Sequence, residues 1–132
     1  MKRIWVILIL MIALFLTACN SKNEKITVKD GTYVLEQTDT GNTLLPYVNI
    51  SDNNITFTYD CLSSYLPHGT YTIEDDILTM RTDDKQYTYV FQIDGDKLIF
   101  QKNNSSEVNL IDTRFGISLT DNAIFKLKEN KN

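Results

Sequence analysis

Apolar and polar residues alternate with a period of two over several short stretches of the chain beyond residue 30. In 55–59 the apolar side chains of Ile55, Phe57 and Tyr59 alternate with threonines, and 69–73 and 87–93 follow the same pattern. Successive side chains of a β-strand point to opposite faces. The period therefore predicts strands with one apolar face and one polar face.

Clusters of Asp, Asn, Ser and Gly separate these stretches, at 51–54, 74–76, 82–85 and 94–96. Such residues favour turns because they tolerate positive φ or hydrogen-bond to their own backbone. The tripeptide Asp94-Gly95-Asp96 is the strongest hairpin signal of the chain. The strands predicted in this way are 32–37, 47–50, 55–60, 69–73, 77–82, 86–93, 97–102 and 123–128.

About eight short consecutive strands are typical of an all-β sandwich or barrel. An open antiparallel meander would leave two unpaired edges, and closure into a barrel removes both. The prediction is therefore a small lipocalin-like barrel or a strongly curled sheet, with a β-sandwich as the alternative. Residues 103–121 show no clear period and are expected to form a short helix or a covering loop.

The first nineteen residues have the pattern of a bacterial lipoprotein leader. Lys2 and Arg3 precede an apolar run of about 13 residues (4–16), and Leu16-Thr17-Ala18-Cys19 resembles a lipobox. A permanent membrane-spanning helix needs roughly 20 residues, so an uncut anchor helix is the less favoured alternative. The prediction is a signal peptide over 1–18 and lipid on Cys19, which would hold the protein at the extracytoplasmic face of the cell membrane.

The remaining domain organisation follows from this leader. Residues 19–29 are predicted to be the lipidated cysteine and a polar tether, 30–128 a barrel-like domain, and 129–132 a tail. The full chain has a net charge of −4, and removal of Lys2 and Arg3 lowers it to about −6. Nucleic acid is not an expected partner, since no cluster of basic residues is present to bind phosphate.

The candidate chemistry of the predicted domain is sparse. After lipidation of Cys19, Cys61 is the remaining cysteine, so no intramolecular disulfide is expected, and its side chain is predicted to be small, apolar and partly buried. His68 is the single histidine and is expected in a turn. The acidic residues at 75–76, 83–84, 94 and 96 lack the glutamate that closes an EF-hand loop, and the glycine stands in the wrong place. We therefore expect no metal, no cofactor and no enzymatic activity.

Two features of the sequence indicate that the protein binds a partner rather than catalyses a reaction. The chain has seven tyrosines, which either pack in the core and across strands or form a recognition surface. The stretch between Cys61 and His68 is long and partly apolar, and it joins two tightly turning regions. A possible recognition surface is therefore assigned to Ser63, Ser64, Tyr65 and His68.

The stretches 62–71 and 89–100, followed by Ser105-Ser106, carry a family resemblance. They resemble a small extracytoplasmic domain at the C-terminal end of some BlaR1-type regulatory membrane proteins of Firmicutes, and stand-alone surface lipoproteins of the same bacteria. The similarity covers roughly 30–128 and implies kinship without a defined activity. Penicillin sensing does not follow, because the chain beyond Cys19 has neither the Ser-x-x-Lys nor the Lys-Thr-Gly motif of penicillin-binding modules.

The sequence thus predicts a membrane-anchored binding or interaction module that contacts a membrane protein or a cell-wall component. A lipocalin-like carrier of a small apolar ligand is the alternative. An apolar interior cavity above roughly 300 Å³ would favour the carrier. A filled interior with an exposed apolar patch beside the 61–68 stretch would favour the interaction module.

Overall fold

The computed structural model describes residues 24–37 and 44–129, so the predicted signal peptide and Cys19 lie outside the described residues. Within these two ranges no helix has the length and apolar character needed to cross a membrane. The described residues form eight β-strands and one short 3-10 helix, Lys102–Asn104. The strands are β1 (Gly31–Leu35), β2 (Tyr47–Ser51), β3 (Asn54–Thr58), β4 (His68–Glu74), β5 (Ile77–Thr82), β6 (Thr88–Asp94), β7 (Lys97–Phe100) and β8 (Ile124–Leu127).

Each strand pairs antiparallel with the next one along the chain, and β8 returns to pair with β1. In this last pairing Tyr33 lies opposite Leu127, and Leu35 lies opposite Phe125. The fold is therefore a closed all-β barrel of the small lipocalin-like kind that the sequence predicts, and the alternative of a β-sandwich is wrong. Closure gives every strand two neighbours and leaves no free sheet edge along the barrel wall.

Three tight turns lie together at one end of the barrel, which we call the turn end. They connect β2 to β3, β4 to β5 and β6 to β7 through two residues each, and they begin at Asp52, Asp75 and Gly95 with φ of 53°, 54° and 57°. Residues 24–30 lie at the same end. The Lys29 ammonium is 2.7 Å from a carboxylate oxygen of Asp96. The chain therefore enters the barrel from the turn end.

The barrel interior is filled with side chains, and Phe57 is at its centre. The Phe57 ring centroid lies 5.1 Å from that of Tyr89, 5.3 Å from Phe91 and 5.8 Å from Phe125, all edge to face. Such aromatic pairs contribute about 0.5–1.5 kcal/mol beyond the burial of their area. The fully buried side chains are those of Tyr33, Val48, Ile50, Ile55, Phe57, Leu78, Met80, Tyr89, Phe91, Leu98, Phe100 and Phe125.

The longer connections meet at the opposite end, which we call the loop end. They are 36–46, of which 38–43 are not described, and 59–67, 83–87 and 101–123. The last connection contains the 3-10 helix and then an irregular segment that buries Val108 and Leu119 against the core. Of the two alternatives expected for 103–121, the covering loop describes nearly the whole range, and only its first two residues belong to the 3-10 helix.

Four predicted strands are two residues shorter than expected at the loop end. The predicted strand 32–37 ends at Leu35, and the predicted strand 86–93 begins at Thr88. The predicted strand 97–102 ends at Phe100, because Lys102 begins the 3-10 helix. The predicted strand 55–60 ends at Thr58, and the chain leaves the sheet at Tyr59. The candidate site lies where the chain leaves the sheet at Tyr59.

Candidate functional site

Large apolar side chains are exposed mainly at the loop end. Such side chains in contact with water mark interaction surfaces when they are contiguous. In the described part of the chain, the one large exposed apolar side chain at the turn end is Ile26. Those at or beside the loop end are Leu44, Tyr47, Leu62, Tyr65, Leu66, Ile111 and Phe115.

Two clefts flank the last residue of β3 and the three residues that follow it, which we call the 58–61 segment. The larger cleft, about 260 Å³, lies between this segment and residues 44–47. The smaller, about 110 Å³, lies between the segment and residues 63–67. The larger cleft is lined by Leu44, Leu45, Pro46, Tyr47, Thr58, Tyr59, Asp60, Cys61 and Gly116.

The 58–61 segment has polar groups without partners. Where the structure describes the chain, neither backbone N–H of Tyr59 and Asp60 donates a hydrogen bond to another residue. The Thr58 hydroxyl is buried between the clefts, and it too lacks a hydrogen-bond partner in the described ranges. Buried polar groups are normally satisfied, so the unpaired Thr58 hydroxyl beside the clefts indicates a place where a ligand can supply the missing bond.

The carboxylate of Asp60 fixes the shape of this site. Asp60 is 8 % exposed. Its Oδ1 accepts a hydrogen bond of 2.9 Å from the Leu62 N–H, and its Oδ2 accepts one of 2.7 Å from the Ile111 N–H. The connection after β3 is therefore joined to the long connection before β8. The Cys61 thiol adds a weak contact of 3.7 Å to the Phe115 carbonyl oxygen.

The predicted recognition residues Ser63 and Tyr65 form one local turn. The Ser63 hydroxyl donates to the Tyr65 carbonyl oxygen and accepts from the Tyr65 N–H, while Ser64 is exposed. The Tyr65 hydroxyl donates a 2.7 Å hydrogen bond to Asp84, and the Tyr65 ring lies 5.5 Å from that of Tyr87. Tyr65 therefore connects the 59–67 and 83–87 loops.

The Asp84 carboxylate receives several hydrogen bonds at this junction. The Thr82 hydroxyl and the Gln86 N–H both donate to its Oδ1, at 2.6 and 3.0 Å. These bonds, with the one from Tyr65, stabilise the charged form and hold the pKa of Asp84 below its usual value. The aspartates of the 82–85 cluster thus shape the loop end as well as turning the chain.

Two expectations about single residues are wrong. His68 is not in a turn but is the first residue of β4, with its Nδ1 3.0 Å from the Thr56 hydroxyl and its Nε2 3.8 Å from Asp83. Cys61 is exposed rather than partly buried, because the chain has already left the sheet at that point. His68 and Cys61 contact different neighbours, and the structure does not join them as a pair.

The tyrosines fall into a buried group and an exposed group. Tyr33 and Tyr89 are fully buried core residues, and burial raises the pKa of the Tyr89 hydroxyl far above its usual value. Tyr47 and Tyr65 are exposed at the loop end, at 38 % and 41 %.

The sequence analysis missed several residues of the site. Leu44, Pro46 and Tyr47 line the larger cleft, and Asp60 joins the loops around it. A signal was present in Leu44-Leu45-Pro46, where two leucines directly precede a proline at the start of a predicted strand. Proline there indicates that the leucines lie outside the sheet ladder.

No three His, Cys, Asp or Glu side chains in 24–37 and 44–129 are grouped as metal ligands. Comparisons of the chain with protein-family models, with curated proteins and with solved structures found no match. The resemblance to the extracytoplasmic domain of BlaR1-type regulators stays a prediction.

Proposed function

We propose that this protein is a membrane-anchored extracytoplasmic lipoprotein that acts by binding a partner at its loop end, and not as a catalyst. The main support for this proposal is the distribution of buried and exposed apolar side chains. The interior is filled by aromatic and aliphatic side chains, and the large apolar groups left in water are concentrated around the 58–61 segment. This distribution is typical of a recognition surface supported by a rigid scaffold.

The position of the chain entry supports the same proposal. Glu24 and Lys25 lie beside Ile73 and Asp75 at the turn end. A lipid on Cys19, five residues before Glu24, would therefore hold the turn end towards the bilayer. The loop end would then face the cell wall and the extracytoplasmic parts of membrane proteins, which are the proposed partner classes.

The carrier of a small apolar ligand is supported less well. Ligand sites for small molecules usually enclose about 300–1,000 Å³. A groove of about 430 Å³ at the turn end is lined mostly by exposed side chains, among them Glu24 and Asp75, and is not an interior cavity. The larger cleft at the loop end, at about 260 Å³, falls below that range and lies outside the packed core. Its aliphatic and aromatic surroundings favour a protein surface as the partner.

Two measurements test the proposal in cells. Mass spectrometry of the wild-type protein is expected to show a chain that begins at Cys19 with added fatty-acid mass, and Cys19→Ser is expected to abolish the modification. A mature chain that still begins at Met1, or one without added lipid, would contradict the anchor.

Site-specific photo-crosslinking tests the binding role. A photoreactive amino acid is placed at Tyr47 or, as a matched control, at Ile26; these side chains are 38 % and 40 % exposed at opposite ends of the barrel. We expect one defined adduct, with a protein or with wall material, from position 47 and none from position 26. Equal adducts from both positions, or none from either, would count against a partner at the loop end.

A further inference from the structure

We infer that the outer wall of β7, β8 and β1 rests on the anionic headgroups of the bilayer that holds the protein, so that the barrel leans towards the membrane on its β8 side. The inference rests on the lipid anchor of the proposed function and goes beyond it, because it adds a second contact surface to the one at the loop end. We call this surface the lysine wall, and its outward-facing members are Val34, Lys97, Ile99, Ile124, Lys126 and Lys128.

Strand pairing gathers the basic residues of the lysine wall. Lys97 on β7 lies directly opposite Lys126 on β8, and Lys128 follows two residues later on the same side of the chain. Lys97 is far from the other two in sequence, so the cluster exists only in the folded barrel. The strands β1, β7 and β8 contain no acidic residue, although acidic residues outnumber basic ones in the whole chain. The wall is therefore a basic area on an acidic protein.

The three lysines of the wall lack anionic partners within the described ranges. There, the lysine ammonium groups that donate hydrogen bonds are those of Lys29 and Lys102, and no carboxylate forms a salt bridge with the lysine wall. Like charges directly opposite each other on two strands destabilise a sheet. An anionic surface would relieve this repulsion between Lys97 and Lys126.

Aliphatic side chains lie beside the lysines. Ile99 is opposite Ile124, and Val34 is opposite Lys126 on the other side of β8. Each of these three aliphatic side chains is partly exposed, because each points away from the core. Lysine stems lie along apolar surface while their ammonium groups reach phosphate, and this combination is typical of surfaces that contact the lipid interface. A soluble polyanion would use the lysines alone, and a second copy of the wall would bring like charges together, so these neighbours favour a bilayer.

The lysine wall lies at the end of the barrel that carries the predicted anchor. Lys97 begins β7 at the turn end, and Lys128 follows the last residue of β8 at the same end. The ion pair between Lys29 and Asp96 fixes the chain entry there. Lipid on Cys19 would therefore bring the wall close to the headgroups, and lysines are attracted to an anionic bilayer within about one Debye length, roughly 8–10 Å.

The opposite side of the barrel has the opposite charge. β4 lies four strands from β8 in either direction around the barrel, and its turn to β5 carries three consecutive acidic residues, 74–76. An anionic bilayer repels this side while it attracts the lysine wall, so both effects tilt the barrel in the same direction. Asp94, opposite Lys97 in the pairing of β6 with β7, lowers the positive charge at that edge. Lys126 and Lys128 are therefore expected to make most of the contact.

Acetylation of the lipidated protein in nanodiscs tests the inference. The nanodiscs contain phosphatidylcholine alone or an equal mixture with phosphatidylglycerol, and the acetylating reagent is neutral. Mass spectrometry measures the labelling rate of each lysine, with the exposed Lys85 at the loop end as the internal control. We expect Lys126 and Lys128 to be labelled at least about threefold more slowly in the nanodiscs with phosphatidylglycerol, and Lys85 at the same rate in both. About 0.5 M salt should remove the difference, since it shortens the Debye length.

Two double variants with the same change of charge locate the contact. Lys126→Gln with Lys128→Gln removes two charges from the lysine wall, whereas Arg81→Gln with Lys85→Gln removes two exposed charges from β5 and the loop that follows it. We expect the first double variant to equalise the labelling rate of Lys97 in the two kinds of nanodisc. The second is expected to leave the protection of the lysine wall unchanged.

Three results would overturn the inference: equal labelling of the lysine wall in both kinds of nanodisc, an equal slowing at Lys85, or protection of Lys97 that survives the loss of Lys126 and Lys128. Polyphosphate added to the phosphatidylcholine nanodiscs is the probe for a soluble polyanion. Protection by polyphosphate without protection by phosphatidylglycerol would also overturn the inference.

The intact mass of the protein, measured before labelling, separates this inference from the proposed function. Absence of lipid on Cys19 would refute the anchor and the contact of the lysine wall together. A lipidated protein whose lysine wall is labelled equally in both kinds of nanodisc would refute the contact alone, and the anchor and the loop-end partner would stand.

Discussion

Asp60 and Ile111 are 51 residues apart in sequence, yet the Asp60 carboxylate accepts a 2.7 Å hydrogen bond from the Ile111 backbone N–H. The other carboxylate oxygen accepts the Leu62 N–H. One nearly buried side chain thus holds together the two loops that border the larger cleft. Both bonds need an acceptor, which a carboxylate provides at each oxygen.

Asp60→Asn is predicted to destabilise the protein and loosen the 101–123 connection. The amide keeps one acceptor oxygen and turns its NH₂ group towards an N–H donor, so one of the two bonds is lost. An unsatisfied buried N–H costs about 1–3 kcal/mol. Urea unfolding should show this loss, and hydrogen exchange at the Ile111 amide should accelerate. Asp112→Asn is the control, because Asp112 pairs with the exposed Arg114 and such pairs contribute about 0–1 kcal/mol. Equal effects of the two substitutions would show that Asp60 has no special role.

Phe57→Ala is predicted to be among the most destabilising single substitutions in the barrel. The ring is fully buried and packs against several other aromatic rings. Truncation of a buried Phe costs about 3–5 kcal/mol, because apolar burial is lost and a cavity remains. Thermal or urea unfolding measures the effect. Phe115→Ala, at a position 56 % exposed, should change the free energy of unfolding by no more than about 0.5 kcal/mol. A small effect at Phe57 would contradict a packed interior.

Gly69→Ala is predicted to disturb the barrel wall. Gly69 pairs with Thr82, and a Cβ at position 69 would lie 1.9 Å from the backbone oxygen of Arg81. The backbone of β4 or β5 would have to move, and overpacking of this kind costs about 1–3 kcal/mol. Gly116→Ala is the comparison, since its Cβ would meet the flexible Leu110 side chain at 3.1 Å. Unfolding measurements that rank Gly116→Ala as the more severe change would refute this reading of the close approach.

Tyr65→Phe is predicted to raise the pKa of Asp84. Hydrogen bonds from the Thr82 hydroxyl, the Gln86 N–H and the Tyr65 hydroxyl hold that pKa below its usual value of 3.8. A carboxylate with a lowered folded-state pKa stabilises the fold above the unfolded-state pKa, and this stabilisation is lost as the pH falls through the folded-state pKa. The contribution of Asp84 should therefore fade below about pH 4, and in Tyr65→Phe it should be smaller and its loss should be complete at a higher pH.

Carboxyl NMR titration of Asp84 checks this prediction directly. Tyr87→Phe is a suitable control, because the neighbouring ring is kept and the Tyr87 hydroxyl does not bond to Asp84 in the structure. An unchanged Asp84 pKa in Tyr65→Phe would mean that the hydrogen bond between the two loops does not form in solution.

Much of the barrel was predictable from local sequence pattern. The alternation at Ile55 and Phe57 marks side chains that are fully buried, and the hairpin signal at Asp94-Gly95-Asp96 marks a two-residue turn. Both are short-range properties, since pleat direction and turn conformation depend on neighbouring residues. The end of β3 at Thr58 was not predictable, because Tyr59 continues the alternating pattern although the chain has already left the ladder.

The candidate site was predicted only in part, because it is built from residues that are far apart in sequence. Tyr65 was assigned to a recognition surface, and it is exposed at the loop end. Leu44 and Tyr47 were missed, since they precede the 61–68 stretch by many residues and come beside it only through the pairing of β2 with β3, in which Tyr47 lies opposite Thr58. The assignment of Cys19 as the lipidated residue lies outside the described residues and stays a prediction.

The sequence by itself determined that this chain forms short antiparallel strands, with apolar side chains on one face and tight acidic turns between them. The alternation of apolar and polar residues and the residue types of the turns depend on neighbouring residues and need no distant partner. The tertiary structure alone decided that β8 closes onto β1, that aromatic rings fill the interior, and that four connections gather Leu44, the 58–61 segment and Phe115 at one end. These outcomes depend on contacts between residues far apart in sequence, where size, shape and hydrogen-bonding capacity must match in space.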